Sequence, residues 1–220
     1  MTVSQDLLLI ALDPVKGTVR IPSTKSNPLL GGAALLELAT LGHVAFEEER
    51  RKPRVVVADH SPASDPVLEA AFARIRHKGR QTPKSAVARL GKKQRRAVLA
   101  SMERAGLVDD RGETFLGVRL ERYELLDAAH RDDLLTRLRA ILLQGLPADD
   151  TTGPLVGLLL AGDLLGIVVE RADKKQAKAR AKAVADGDWA SDGVRQAIAS
   201  AEAAMAAVVI GAGAAGASGS

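Results

Sequence analysis

Residues 27–42, NPLLGGAALLELATLG, contain the clearest fold signal in the chain. Their apolar side chains recur at the spacing of a helix that faces a core; they are Leu29, Leu30, Ala33, Leu36 and Leu38. Pro28 suits a first helical turn, whose N–H groups have no partner within the helix, and Gly42 suits the position just after the last turn. The stretch therefore predicts an aliphatic helix.

Further helices are predicted along the chain. The pair Asp65-Pro66 has the cap-then-proline pattern of a helix start. Leucines and an isoleucine between residues 134 and 142 follow the amphipathic pattern, and Gly145 suits the end of that helix. Additional helices are expected at residues 154–170, near 172–185 and near 190–209.

The β-structure is expected to be minor. HVAFEE and RVVVAD, at residues 43–48 and 54–59, have the composition of two short strands separated by a basic turn. LVDDRGETFLGVRL, at residues 107–120, predicts a hairpin that turns at Arg111-Gly112.

Composition supports a mainly α-helical fold. The 220 residues include only three Phe, one Tyr and one Trp, so the core must be built from aliphatic side chains. No linker rich in Pro, Gly or Ser divides the chain. We expect a single helical domain at residues 1–210, with a β-hairpin and minor short strands, and a flexible tail, GAGAAGASGS, at residues 211–220.

Several kinds of chemistry have no support in the sequence. There is no Cys, which excludes disulfides, thiol catalysis and zinc–thiolate sites. The four His are far apart along the chain, so no metal ligand pair is indicated. Nucleophile elbows, phosphate-binding loops and dinucleotide fingerprints are also absent. We therefore expect no enzyme activity, no cofactor and no metal.

The apolar segments do not predict a membrane span or a secretory signal. The first 17 residues lack a basic start before their apolar run. The segment 154–170 is shorter than the roughly 20 residues of a spanning helix and carries Asp163 in its middle. The expectation is a cytoplasmic protein that touches a membrane, if at all, from one side.

Positive charge is concentrated in one segment. Residues 74–96 contain ten Lys or Arg and no Asp or Glu; because the whole chain has a net charge of +4, the remaining residues carry a net −6. A local excess of this size attracts anions, unless acids from elsewhere in the chain lie beside it.

The end of this segment is expected to open a helix near Lys92. Lys92, Arg95 and Arg96 would then be neighbours on the helix, at the end where free N–H groups already carry partial positive charge. A phosphate would make this arrangement favourable. The pattern predicts an anion site formed by these three residues.

Three kinds of anionic or protein partner fit these features. A helix followed by a two-stranded ribbon also describes a winged helix-turn-helix. However, the patch has no aromatic residue for stacking, and Gln94 is its only candidate for reading bases, so nucleic acid is the weaker interpretation. An adaptor that binds a protein tail is a third interpretation. An acidic phospholipid surface is favoured.

Several stretches resemble the Golgi phosphoprotein 3 family, whose eukaryotic members are peripheral membrane proteins that recognise phosphatidylinositol 4-phosphate. The most specific are LLELATLGHV and MERAGLV followed by TFLG; DLLLIALDPVKGTV, GPLVGLLLAGDLLGIVVE and AMAAVVIGAG add to them in family order. The resemblance implies a mainly helical domain with a projecting β-hairpin. Since the chain lacks the basic N-terminal extension of eukaryotic members, it resembles the compact bacterial relatives.

The resemblance also implies site residues. The family binds its head-group with an early Trp and Arg and with two Arg three apart in the later helix. The later pair falls on Lys92 and Arg95, but the earlier pair falls on Pro22 and Gly31, which cannot do those jobs. Arg20 or Lys25 are the candidates to substitute.

The family hairpin is implicated in membrane contact and self-association. Here it spans about residues 107–120, and Phe115 and Leu116 are its apolar candidates for such contacts. Packing of these two side chains against the next helix is the alternative. The prediction is a peripheral membrane protein at the cytoplasmic face, with self-association through the hairpin.

Overall fold

The protein is described by a computed structural model, which covers residues 1–49, 52–115 and 118–185, together with Ala203. The helix expected at 190–209 and the tail expected at 211–220 lie outside these residues, apart from Ala203. The described part is mainly α-helical, as predicted.

Helix α2 (Ser23–Thr40) is the centre of the fold. It contacts five other helices and the first strand. Leucines and alanines on all of its sides are buried, among them Leu30, Ala34 and Leu38, each with no exposed surface. A helix that is apolar all round can only be stable when other elements enclose it, and here they do.

Seven other helices complete the described part of the chain, and five of them pack directly on α2. The seven are α1 (Val3–Ala11), α3 (Pro66–Phe72), α4 (Pro83–Leu90), α5 (Gln94–Arg104), α6 (Ala128–Arg139), α7 (Thr152–Ala161) and α8 (Lys174–Ala185). A π-helical turn, Ala140–Gln144, extends α6, and a short 3-10 turn, Leu165–Ile167, follows α7.

The strands form antiparallel pairs. Strand β1 (Val44–Glu49) pairs with β2 (Lys52–Val57). Strand β3 (Val108–Asp110) pairs with β6 (Tyr123–Leu125), and β4 (Glu113–Phe115) pairs with β5 (Val118–Leu120). The last four strands make one two-stranded ribbon, because their partners keep the same register from Val108–Leu125 to Phe115–Val118.

Two boundaries differ from the sequence predictions, and a third agrees with them. Arg111 donates its N–H to the carbonyl of Arg122 at 2.8 Å, so the ribbon continues where a turn was expected, and the chain reverses between Phe115 and Val118. The helix expected at 154–170 ends at Ala161, since Asp163 has a left-handed backbone with φ of 54°. The end of α6 near Gly145 is confirmed.

The start of α2 also differs. The helix begins at Ser23, one turn earlier than predicted, and Pro28 lies inside it. Gly42 follows the helix with φ of 78°, which confirms its predicted role.

Two glycines let α2 touch the junction of α4 and α5. A Cβ added to Gly31 would lie 2.1 Å from the carbonyl oxygen of Val87, and one added to Gly91 would lie 2.0 Å from that of Asn27. Backbone therefore contacts backbone at this crossing, and any side chain would force the helices apart.

No helix in the described part of the chain is both long and apolar enough to cross a membrane.

Replacing Gly31 by Ala is expected to lower the free energy of unfolding by about 3 kcal/mol, because the methyl group has no space beside the Val87 carbonyl. Gly166→Ala is the control, since a Cβ there meets nothing within 4 Å. Urea unfolding of both variants measures the difference. Equal stability of the two variants would contradict the close crossing.

Burial raises the pKa of Glu37, in α2, from an ordinary value of 4.5 to about 7, although its carboxylate accepts the N–H of Val3 at 3.2 Å. The unfolded chain releases this proton at lower pH than the folded one does. Its contribution to stability is therefore full below about pH 4.5 and is lost as pH rises to about 7. Glu37→Gln should flatten the unfolding free energy between these values; an unchanged slope would refute the assignment.

Candidate functional site

A basic cavity of about 370 Å³ lies where α3, α4 and α5 meet. Among the residues that the structure describes, its lining consists of four cations, Arg74, Arg89, Lys92 and Lys93. None of the four forms an ion pair with a described carboxylate. Four positive charges without an ion-pair partner in the described part of the chain make this cavity the strongest candidate for an anion site.

The backbone between α4 and α5 places the two lysines at the cavity. Helix α4 ends at Leu90, and Gly91 is held against α2 by its contact with Asn27. Lys93 then adopts a left-handed conformation with φ of 60° and precedes the first residue of α5, Gln94. This conformation costs a non-glycine residue about 1 kcal/mol, and it bends the chain so that Lys92 and Lys93 line the cavity.

The two arginines are held by neutral partners. Arg74 donates from Nη1 to the carbonyl of Leu90 at 3.0 Å, at the end of α4. Arg89 has a long contact of 3.4 Å from Nε to the hydroxyl of Ser85. Neither partner removes the positive charge, so both guanidinium groups stay available to an anion.

Arg95 lies outside this cavity, although its three-residue spacing from Lys92 predicted that the two would share a site. It donates from Nη2 to Glu121 at 2.9 Å and from Nε to the same carboxylate oxygen at 3.1 Å. Its Nη1 donates to the Ser26 hydroxyl at 2.9 Å and lies 3.5 Å from the Ile21 carbonyl oxygen. Arg95 is thus neutralised by the ribbon and links it to the start of α2.

Arg96 lies in a different, acidic environment. It lines a cavity of about 460 Å³ whose described lining includes three carboxylates, those of Glu103, Asp110 and Glu121. An anion would be repelled from this cavity, so the geometry does not join Arg96 to Lys92.

The two substitute residues also have internal partners. Arg20 forms an ion pair with Asp13 at 3.3 Å. Lys25 donates from Nζ to the carbonyl of Gly162 at 3.0 Å. Of the five residues predicted to bind a head-group, only Lys92 lines the basic cavity.

Of the two hairpin residues predicted to contact a membrane, only one belongs to the described part of the chain. Phe115 is the last residue of β4, and Leu116 lies outside the described residues. The base of the ribbon is fixed, since Tyr123 donates its N–H to the Gly17 carbonyl at 2.8 Å.

No group of three or more His, Asp or Glu that could hold a metal ion is present among the described residues.

A protein-family model described as Golgi phosphoprotein 3 (GPP34) matches residues 3–201. The chain belongs to the Golgi phosphoprotein 3 family. Among curated proteins, no sequence matches the chain. The Golgi phosphoprotein 3 family is not known as an enzyme family.

The fold explains why the early family positions are unsuited to head-group binding in this Golgi phosphoprotein 3 family member. Pro22 caps the start of α2. Gly31 lies in the crossing with α4, where even a Cβ would overlap the Val87 carbonyl oxygen. An Arg at position 31 would require the two helices to separate, so packing leaves no space there for the side chain that the resemblance implied.

Sequence reasoning missed three of the four cavity residues: Arg74, Arg89 and Lys93. They were counted in the basic segment, but helical spacing singled out Lys92, Arg95 and Arg96 instead. The sequence feature that could have identified them is the basic segment at residues 74–96, since all four cavity residues belong to it.

Because Arg95 joins the ribbon to α2, Arg95→Ala should lower the free energy of unfolding by about 2 kcal/mol, through the loss of its bond to the part-buried Ser26. The matched control is Arg96→Ala, an exposed position where a change within about 0.5 kcal/mol is expected. Chemical denaturation compares the two. Equal effects would show that Arg95 has no structural role.

Proposed function

We propose that the protein is a peripheral membrane protein that binds acidic phospholipid head-groups in the basic cavity formed by Arg74, Arg89, Lys92 and Lys93. The observation that carries this proposal is the lining of the cavity by four cations without a described acidic partner. Family membership supports a Golgi phosphoprotein 3-like role. The candidate ligands are phosphatidylinositol 4-phosphate and other anionic lipids.

The magnitude of the attraction is sufficient for reversible docking. Each Lys or Arg near an anionic leaflet contributes on the order of 1 kcal/mol. Four such residues give several kcal/mol, and further exposed cations of the basic segment, such as Lys84, can add to this. The interaction is electrostatic, so it should weaken as salt rises.

The basic cavity is expected to bind a lipid according to the negative charge of its head-group more than according to the head-group's shape. Lysine is a point charge, whereas arginine holds a phosphate with a planar fork. The family position best suited to such a fork, Arg95, is bound to Glu121. We therefore expect broad affinity for anionic lipids, with the cytoplasmic leaflet as the surface.

A nucleic-acid function has less support. The cavity is a local pocket at a helix junction, and its described lining contains no aromatic side chain. A duplex offers phosphates as well, so the same charge could produce weak, salt-sensitive binding. Duplex DNA is therefore included as a competitor in the test.

Lys92→Ala combined with Lys93→Ala should weaken binding to vesicles that contain phosphatidylserine by about 2 kcal/mol, or roughly thirtyfold. Both changes keep a Cβ, so the left-handed backbone at position 93 is no more strained than before. Vesicle sedimentation at two salt concentrations measures the effect. A second set of vesicles with phosphatidylinositol 4-phosphate tests whether the head-group matters beyond its charge.

The matched control is Lys175→Ala combined with Lys178→Ala, which removes the same charge from exposed positions of α8. This variant should bind nearly as well as the unmodified protein. An equal loss in both variants would show that net charge, and not the cavity, governs binding. Equal binding to neutral phosphatidylcholine vesicles, or tighter binding to duplex DNA, would refute the proposal.

A further inference from the structure

A second cavity, of about 410 Å³, lies between the end of β2 and the segment that follows α3. One wall is the end of β2 with His60 beyond it, and the other is residues 76–80. The two walls are tied together by hydrogen bonds, since Val55 donates to the Gln81 carbonyl at 2.8 Å and accepts from its N–H at 3.1 Å. The cavity is therefore preformed. It shares no described lining residue with the basic cavity.

Two imidazole rings face each other in this cavity. The rings of His60 and His77 have centroids 6.3 Å apart and planes inclined by 24°. Both residues are exposed, and neither ring has a hydrogen-bond partner among the described residues. Their nitrogens are thus free to donate to a ligand when protonated.

The fixed charges around the rings nearly cancel. Arg76 is bound to Glu69 and lies over the Phe72 ring, and Arg80 is bound to Glu47 at 2.6 Å. Nearby groups also include Arg54, opposite Glu47 in the strand register, and Asp59, which accepts from the Ser61 N–H at 2.9 Å and lies 3.7 Å from His43. Lys78 has no ion pair with a described carboxylate.

Because the fixed charges nearly cancel, the protonation of the two imidazoles sets the strength of the positive field in the cavity. The four cations and three carboxylates in this set sum to a single positive charge. Protonation of both rings would raise it to three. Protonation of an imidazole adds one positive charge, so the cavity attracts anions strongly once both rings are protonated.

We propose that this cavity is a second anion site, in which His60, His77 and Lys78 bind a phosphate-type oxyanion once the two imidazoles are protonated. The oxyanion could belong to a lipid head-group or be free in solution; the tetrahedral anionic group is common to both. Binding and protonation are coupled, since the anion stabilises the charged rings. The affinity therefore rises as pH falls.

Sulfate is a suitable probe, because its charge stays constant over the range in which histidine titrates. Histidine ring signals of the full chain are followed by NMR between about pH 5 and 8, in sulfate and in chloride at equal ionic strength. Sulfate should raise the titration midpoints of His60 and His77. A rise of about half a unit at each ring corresponds to roughly tenfold tighter sulfate binding at the acidic end.

Controls are built into the same experiment. His130, whose Nε2 lies 3.0 Å from the buried Asp6 carboxylate, should not respond to sulfate. Lys78→Ala should reduce the shifts at both rings, and His60→Gln combined with His77→Gln should abolish pH-dependent sulfate binding. Identical midpoints in sulfate and chloride, or sulfate binding that persists unchanged in the double His variant, would overturn the proposal.

The source of the oxyanion is tested in the Lys92→Ala, Lys93→Ala background, which also separates this site from the basic cavity. Phosphatidylglycerol vesicles keep a constant charge over the same pH range. Acid-enhanced vesicle binding that is lost with the two His→Gln changes supports a lipid source, at about fivefold for each charge gained. A sulfate response without such vesicle binding supports a free oxyanion.

Discussion

The contact between α2 and the α4–α5 junction is the constraint on which the rest of the structure depends. At Gly31 and Gly91 the two backbones touch without intervening side chains. The contact fixes where α4 ends and forces the chain to turn before α5 begins. That turn, completed by Lys93 in a left-handed conformation, brings cations from α4 and from the α4–α5 connection to one cavity. The same contact leaves no space for a larger side chain at Gly31, the position to which the resemblance assigned an early Arg.

Internal carboxylates decide which cations can attract a ligand. The basic segment contains ten Lys and Arg, but three of its arginines, Arg76, Arg80 and Arg95, are paired with acids from other elements. These acids come from α3, β1 and the connection between β5 and β6. Such pairs near the surface add little stability, yet each cancels a charge that sequence alone would count as free. The four cations of the basic cavity form no ion pair with a described carboxylate, so their charge stays available to an anion.

Much of the fold could be predicted from the sequence because its signals are local. Helix α2 shows helical spacing, and the glycine after it has the left-handed backbone that its position requires. The turn of the ribbon was predicted at the wrong position because that prediction also used only a local signal. Arg111-Gly112 has turn composition, and the Gly112 N–H does bond to Asp110 at 2.8 Å, but the long-range register of the ribbon overrides this local preference.

The candidate site was harder to predict because it depends on contacts that are distant in sequence. A three-residue spacing puts Lys92 and Arg95 on one face only if the helix is continuous, and the break at Lys93 separates them. That break follows from packing against α2, which no local pattern reveals. The partner of Arg95, Glu121, lies 26 residues further along the chain. The sequence shows how much positive charge a segment carries, but only tertiary contacts show which part is left for a partner.

This division between paired and unpaired cations also bears on recognition. Lysine presents a point charge, so a site that includes Lys92 and Lys93 is expected to respond to the amount of negative charge more than to its geometry. Arg95 could supply directional contacts, but its Nε, Nη1 and Nη2 already donate to Glu121 and to the start of α2. For a phosphate to recruit it, that phosphate would have to replace a carboxylate and leave Ser26 without its donor. The part-buried hydrogen bond to Ser26 therefore opposes the recruitment of Arg95 by a phosphate and keeps the ribbon attached to the core.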